Sequence, residues 1–241
     1  MVDSVAVTTP RATSSNVDFP SGPTFTELLD SEGDIAWVRY KVWSADWYTE
    51  ALSNLVAVLG AYDRYVGVEM AIDGALGALS GAFDASVASL IRSAERFLNT
   101  PEAKRTPAHL YEWATFKKLA NGTAVTSYQG VPELISEVDQ ALAGEKSESP
   151  TGWLAVLRRL RNRTTHQTTL PRTWGVADDG ASVVIGVSGL PALDPLEYLK
   201  ESCDRVSDIT ERVLRIANSL APTSAYTPLA RTAWRIRPVT R

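Results

Sequence analysis

Cysteine and histidine are almost absent from this chain of 241 residues, which has one cysteine, Cys203, and two histidines, His109 and His166. A single cysteine cannot close an internal disulfide. Neither a Cys-based zinc site nor a His-rich transition-metal centre can be assembled from so few ligands, although carboxylates could still hold a hard cation. A lone cysteine is typical of a reducing compartment, so we expect a cytoplasmic protein.

The chain also lacks a long hydrophobic run that is free of charge. Its most apolar region, about residues 65–91, is interrupted by Glu69, Asp73 and Asp84. A transmembrane helix needs about 20 apolar residues with few charges. We therefore interpret this region as a buried helix and expect no membrane association. The first four residues do not have the basic start of a signal peptide, and no apolar core follows them, so we expect none.

Acidic residues slightly outnumber basic ones, and the two signs are unevenly distributed along the chain. The formal net charge is −4, which argues against a protein that binds nucleic acid non-specifically through a large positive net charge. Residues 151–241 contain 13 Lys and Arg against 8 Asp and Glu, a surplus of five, so residues 1–150 carry −9. The basic surplus suits a phosphate-bearing substrate, but chance and a basic tail would explain it equally well.

The chain is predicted to form one helical domain between two tails. Residues 1–23 are rich in Ser, Thr, Pro and Val without a period, which is typical of a flexible tail. The domain covers residues 24–221, and residues 222–241 form an Arg-rich C-terminal tail. Apolar residues alternate around an Asp-Asp-Gly turn, which predicts a β-hairpin over about 172–189.

Apolar residues recur every three to five positions in most of the domain, which predicts amphipathic α-helices. The long helices are expected over about 34–59, 62–98 and 195–220, and a shorter helix opens at Pro150. Asp194, followed by a proline, is predicted to cap the last of them. We predict an all-α fold with a four-helix-bundle core, extra short helices and the hairpin as an appendage before the last helix.

Three glycines, Gly74, Gly77 and Gly81, stand in the middle of the second predicted helix. Each costs about 1 kcal/mol against alanine in a helix. We expect these small residues to let a neighbouring helix approach closely.

Three tryptophans, Trp37, Trp43 and Trp47, lie in the first predicted helix. We interpret them as residues of the core or of a dimer interface rather than as a platform on which bases stack.

The segment that carries chemistry reads Arg161-Asn162-Arg163-Thr164-Thr165-His166, at the end of the helix that opens at Pro150. It resembles the signature of the HEPN superfamily, in which an Arg, usually followed by a polar residue such as Asn, precedes a His by a short gap. The gap here is four residues, and one more long helix follows, as in that family. Arg159, with a gap of six, is the alternative motif arginine.

The resemblance implies a metal-independent ribonuclease that needs no cofactor and acts on RNA as a homodimer. His166 is then the general acid or base, since histidine titrates near neutral pH. Arg161 stabilises the charge that builds on the phosphate, and Asn162 orients the His or the backbone. The expected products carry a 2′,3′-cyclic phosphate and a 5′-OH.

Four further residues are candidates for the same site. Arg158 and Arg163 are interpreted as solvated or phosphate-facing, and they are the candidates for substrate binding. Asp84 or Glu95 could reach the site from the second helix, because members of this family often add a polar residue from there. Each carboxylate has a plainer interpretation as a surface or packing residue.

Helical geometry sets a condition on this site. At 100° per residue, Arg161 and His166 point about 140° apart, whereas Asn162 and His166 share a face. The first two converge only if the helix ends before His166 or if a second copy supplies the partner group. We therefore expect a two-fold dimer with the motif helices near the axis.

Two other functions remain open at this point. One is a HEPN-fold scaffold or RNA-binding subunit that does not cut, and the other is a plain helical-bundle interaction protein. The resemblance further implies a role in stress response, antiviral defence or a toxin–antitoxin pair, with an antitoxin or regulatory protein as partner. Thr168 stands where one group of toxins in this family carries a modified Tyr, so that form of regulation is not implied.

Overall fold

The structure, a computed structural model, describes residues 33–56, 62–100, 112–166, 172–177, 180–186 and 190–222. In chain order the elements are α1 (Gly33–Val56), α2 (Tyr62–Phe97), α3 (Trp113–Ala120), α4 (Val131–Ala141), α5 (Trp153–His166), β1 (Arg172–Ala177), β2 (Gly180–Ile185) and α6 (Pro195–Leu220). The predicted all-α character is confirmed. The predicted tail over residues 1–23, His109 and all of the C-terminal tail beyond Pro222 lie outside the described residues.

The glycines of α2 show how closely α1 approaches it. A Cβ added at Gly74 would lie 2.6 Å from the ring of Tyr48, and one at Gly81 would lie 3.4 Å from the side chain of Lys41. These contacts also show that the two helices run antiparallel. The expected close approach is confirmed at both positions, but a Cβ at Gly77 would meet nothing within 4 Å.

Helix α2 lies at the centre of the protein and packs against α1, α5 and α6. Its segment Val66–Phe97 is long and apolar enough to cross a membrane, but 72% of the most apolar window is buried inside the protein. The large side chains that it buries completely include Ile72, Leu76, Leu79, Phe83, Leu90 and Ile91. The prediction of a buried helix is therefore confirmed for α2.

The predicted start of α6 is confirmed by its cap. Asp194 Oδ1 accepts hydrogen bonds from the backbone N–H groups of Leu196 (2.8 Å) and Glu197 (3.0 Å). Pro195 follows the cap at the first helical position, where its missing N–H costs nothing. From there α6 runs for 26 residues and packs against both α1 and α2.

The predicted hairpin is confirmed as a two-stranded antiparallel ribbon. Its register runs from Arg172 opposite Ile185 to Ala177 opposite Gly180. Ile185 is buried and exchanges both backbone hydrogen bonds with Leu193, just before α6. These bonds tie the hairpin to the start of the last helix.

Of the two places expected for the α1 tryptophans, the core or a dimer interface, the core is wrong for Trp37, and the dimer interface stays a prediction. Its side chain is 50% exposed; it stacks on Tyr40 at 5.2 Å between ring centroids, and Lys41 Nζ lies 4.8 Å from its ring. Trp43 and Trp47 are only partly buried. The core positions of α1 are occupied instead by smaller residues, namely Val38, Ala45 and Leu52. Gly74 and Gly81 of α2 face two larger α1 side chains, those of Tyr48 and Lys41.

Candidate active site on helix α5

The start of α5 is fixed by the chain that precedes it. The backbone N–H groups of Thr151 and Gly152 both donate to the carbonyl of Ala143, at 3.1 and 2.8 Å. A Cβ at Gly152 would lie 2.2 Å from the carbonyl oxygen of Ala141. Only glycine allows the end of α4 to lie against the start of α5 in this way.

The rotation of α5 about its axis is set by its leucines. Leu154, Leu157 and Leu160 recur every three residues and are completely buried. Asn162 lies on the opposite side and is exposed, as expected for a residue about 140° around the helix from Leu157. Asn162 therefore lies on the solvent-facing side of a helix whose other face is buried in the core.

Arg161 and Asn162 are in direct contact. Arg161 Nη1 donates to Asn162 Oδ1 at 3.1 Å, and Thr164 Oγ1 donates to the Arg161 carbonyl at 2.8 Å. Arg161 is partly exposed. The acceptor oxygen of Asn162, which we expected to orient His166 or the backbone, is thus used by the motif arginine.

Helix α5 extends through His166, so the helix does not end before the motif histidine. Positions 161 and 166 are then about 140° apart around the axis. Position 166 shares a face with Asn162, one turn earlier. The side chain of His166 lies outside the described part of the chain. The backbone of one copy therefore does not bring Arg161 and His166 onto one face.

Arg158 is bound by two carboxylates. Its guanidinium donates to Asp84 Oδ1 of α2 at 2.5 Å and to Glu145 Oε1 of the α4–α5 loop at 2.8 Å. It also lies over the ring of Phe83, 5.4 Å from the centroid. Only 18% of the Arg158 side chain and 23% of the Asp84 side chain are exposed. The arginine that we expected at the substrate is thus engaged within its own chain.

Asp84, one of the two auxiliary candidates, is brought to α5. Burial raises the pKa of its carboxyl, and the positive charges of Arg158 and then Arg161 lower it without reversing the shift. The pKa of Arg158 is raised in turn, because the two carboxylates outweigh the effect of its burial. Asp84 therefore lies in the fields of two arginines that are one turn apart on α5.

The structure gives the other candidates different surroundings. Glu95 is 11 residues further along α2, about 16 Å by helical rise, and its side chain is only 3% exposed. Arg163 is partly exposed on α5. Arg159, the alternative motif arginine, donates from Nη1 to the carbonyl of Ser147 at 3.0 Å and so holds the α4–α5 loop. The structure thus shows Asp84 in contact with the motif helix, whereas Glu95 is a buried residue further along α2.

Sequence analysis missed Glu145 and Phe83 as partners of Arg158. Glu145 is one of several polar residues in a loop, and Phe83 has the pattern of an ordinary core residue, so neither carries a signal of its own. Within the described ranges, no group of three or more His, Cys, Asp and Glu side chains is placed to hold a metal ion.

No known protein-family model matches the chain, and no curated protein or solved structure matches it significantly. The resemblance to HEPN proteins therefore rests on the motif and on the order of the helices.

Proposed function

We propose that this protein is a metal-independent, cytoplasmic endoribonuclease of HEPN type that acts as a homodimer. The observation that carries the proposal is the contact between Arg161 and Asn162 on the solvent-facing side of α5, one turn before His166. An arginine and a histidine are the two groups that this cleavage needs. The asparagine beside them holds the arginine in one of its many rotamers.

The helical arrangement is compatible with a HEPN-like four-helix core made of α1, α2, α5 and α6. Helices α1, α2 and α6 contact one another, and α5 packs on α2. In this assignment α3, α4 and the hairpin are additions to the core.

The reaction that we assign is attack of a ribose 2′-OH on the adjacent phosphate. A bond forms between the 2′ oxygen and phosphorus, and the bond to the 5′ oxygen breaks. The proton lost by the 2′-OH and the proton gained by the 5′ oxygen both pass through histidine, which is suited to either role near neutral pH. The guanidinium of Arg161 balances the negative charge on the phosphate in the transition state.

A second copy of the chain completes the site in this proposal. Because α5 stays helical through His166, positions 161 and 166 diverge within one copy. Two α5 helices that face each other across a two-fold axis would place Arg161 of one copy opposite His166 of the other. The same cleft would be open to RNA.

The central prediction is that His166→Ala and Arg161→Ala each abolish RNA cleavage while the protein stays folded. Loss of an acid–base group costs about 10² to 10⁴-fold in rate, and loss of a charge-stabilising donor costs about 10² to 10³-fold. Asn162→Ala should be intermediate, because it only frees the rotamers of Arg161. Cleavage of labelled RNA and thermal melts should be measured on the same purified samples.

Arg96→Ala is the matched control, because Arg96 is exposed at the far end of α2. It should cut RNA like the wild type. If His166→Ala melts far below the wild type, His166 is a structural residue. A folded His166→Ala that cuts at the wild-type rate contradicts the nuclease assignment, and a wild type that cuts no RNA favours a HEPN-fold scaffold or RNA-binding subunit.

We also predict that cleavage persists in excess EDTA, because the assigned chemistry uses only histidine and arginine. The measurement compares initial rates with and without the chelator, and a metal-dependent nuclease in the same buffer serves as control. Loss of activity in EDTA and its return on adding Mg²⁺ or Mn²⁺ would contradict this mechanism.

A further inference from the structure

The ion pairs of Arg158 join three parts of the chain. Arg158 lies on α5, Asp84 on α2 and Glu145 in the loop between α4 and α5, and the guanidinium also covers the ring of Phe83. Arg158 is the more buried partner in both pairs, and Asp84 is nearly as buried. Ion pairs that are shielded from water in this way are screened little by salt and are held in a defined geometry.

A phosphate at the Arg158 guanidinium would have to compete with the two carboxylates that already hold its Nη1 and Nη2 groups. The displaced Asp84 would remain close by and repel the phosphate, since like charges at short range in a poorly solvated site are strongly unfavourable. Arg158 is therefore poorly suited to bind RNA directly.

Asp84 also acts on Arg161. Positions 158 and 161 lie on one side of α5, three residues apart, and Asp84 lies in the field of both arginines. Arg158 is the partner to which Asp84 is hydrogen-bonded. Without Arg158, the partly buried carboxylate would draw the Arg161 guanidinium towards itself and away from Asn162.

We propose that Arg158 is a positioning residue, which neutralises Asp84 and so keeps the Arg161 guanidinium in its contact with Asn162. The inference rests on the proposed ribonuclease function for its effect on catalysis. The orientation of Arg161 can be measured without any RNA.

The first arm of the test follows the Arg161 Nε–H signal by NMR, identified by its loss in Arg161→Ala. In Arg158→Met the signal should shift, and in the double variant Asp84→Asn/Arg158→Met it should return close to its wild-type position. The double variant also removes the charge of the more buried Asp84 and leaves only the more exposed Glu145 without Arg158, so we expect it to stay folded even if Arg158→Met does not. Arg212→Met is the matched control, because Arg212 is ion-paired to Glu137 at 2.6 Å between α6 and α4, and it should leave the signal unmoved.

The second arm measures RNA cleavage and the salt dependence of RNA binding. Arg158→Met should lower kcat by about 10²-fold, the scale expected for a misplaced group, with little change in KM. Arg158→Lys keeps the charge beside Asp84 and should retain most of the activity, and Asp84→Asn should restore much of what Arg158→Met loses. The slope of log binding constant against log salt should not change.

Other outcomes overturn the inference. If Arg158→Met leaves the Arg161 signal in place, Asp84 does not compete for Arg161. If it raises KM and reduces the salt slope by about 0.7, as expected for one lost phosphate contact on a single strand, Arg158 binds RNA directly. If the wild type cuts no RNA, the proposed function fails, and the NMR arm alone decides whether Arg158 positions Arg161.

Discussion

At the scale of single residues, burial governs the acidic side chains of α2. Burial raises the pKa of both Asp73 and Asp84 above the ordinary value of 3.8. Around Asp84, two arginines partly oppose this effect, whereas burial is the cause that accounts for the shift at Asp73. A partly buried carboxylate whose pKa is raised makes the folded protein less stable once it ionises.

We predict that Asp73→Asn raises the melting temperature at neutral pH and not in acid. Below pH 3.8 the carboxyl is protonated in both the folded and the unfolded chain, so the two proteins should melt alike. As the pH rises through the raised native pKa, the wild type must ionise a partly buried group, and its free energy of unfolding falls relative to the variant. Melting curves from pH 3 to pH 8 test this.

Asp208→Asn is the matched control, because Asp208 is an exposed aspartate on α6. Its effect on the melting temperature should be small across the range. An Asp73→Asn protein that is less stable than the wild type at pH 7 would show that the carboxylate makes contacts worth more than its desolvation.

At the scale of elements, the spacing between α1 and α2 is set by which α2 residues have no side chain. Gly74 and Gly81 face α1, and Gly77, between them in sequence, faces open space. The three positions look equivalent in the sequence. They differ in their angular position around the helix axis: Gly74 and Gly81 pack against α1, whereas Gly77 only lowers the stability of the helix.

Alanine substitution should therefore have opposite effects at two neighbouring glycines. Gly74→Ala should destabilise the protein by about 1–3 kcal/mol, the usual cost of overpacking, because its Cβ would meet the Tyr48 ring at 2.6 Å. Gly77→Ala should stabilise it by about 0.5–1 kcal/mol, since alanine is the better helix former and the space is free. Chemical denaturation of both variants provides the comparison.

Each of these variants is the control for the other. Loss of stability in Gly77→Ala would indicate that something covers this face of α2 in solution. A tolerated Gly74→Ala would indicate that the Tyr48 ring moves aside at little cost.

At the scale of the whole molecule, the proposed site is complete only in a dimer. We predict that light scattering at micromolar concentration reports twice the chain mass of 26.2 kDa. A dimer whose sites are shared between copies makes a further prediction: mixing inactive Arg161→Ala and His166→Ala proteins should restore cleavage.

The expected recovery is about one quarter of the wild-type rate, since half of the randomly exchanged dimers are mixed and each mixed dimer has one intact site. The mixture must be allowed to exchange subunits before the assay, and each variant alone serves as control. No recovery after proven exchange would mean that Arg161 and His166 act within one copy. A stable monomer that still cleaves RNA would remove the need for a partner.

Most of the helical architecture could be predicted from the sequence, because the signals for it are local. Apolar periodicity predicted the ends of α2 and α6 to within one or two residues. Asp194 was predicted as the cap of α6, and the alternation around a short turn predicted the hairpin. The sequence also proposed the motif residues of α5. A helix, a cap and a hairpin depend on residues a few positions apart, which can be read directly along the chain.

The side-chain contacts between elements could not be predicted from the sequence. Arg158 contacts Asp84, 74 residues away, and Glu145, 13 residues away, and Trp37 is half-exposed whereas Val38 beside it is buried. Such contacts depend on how each helix is rotated and how closely it packs, and these are set by the whole core at once. Arg158 could be identified as a candidate from the sequence, but its pairing with Asp84 depends on how α5 packs against α2.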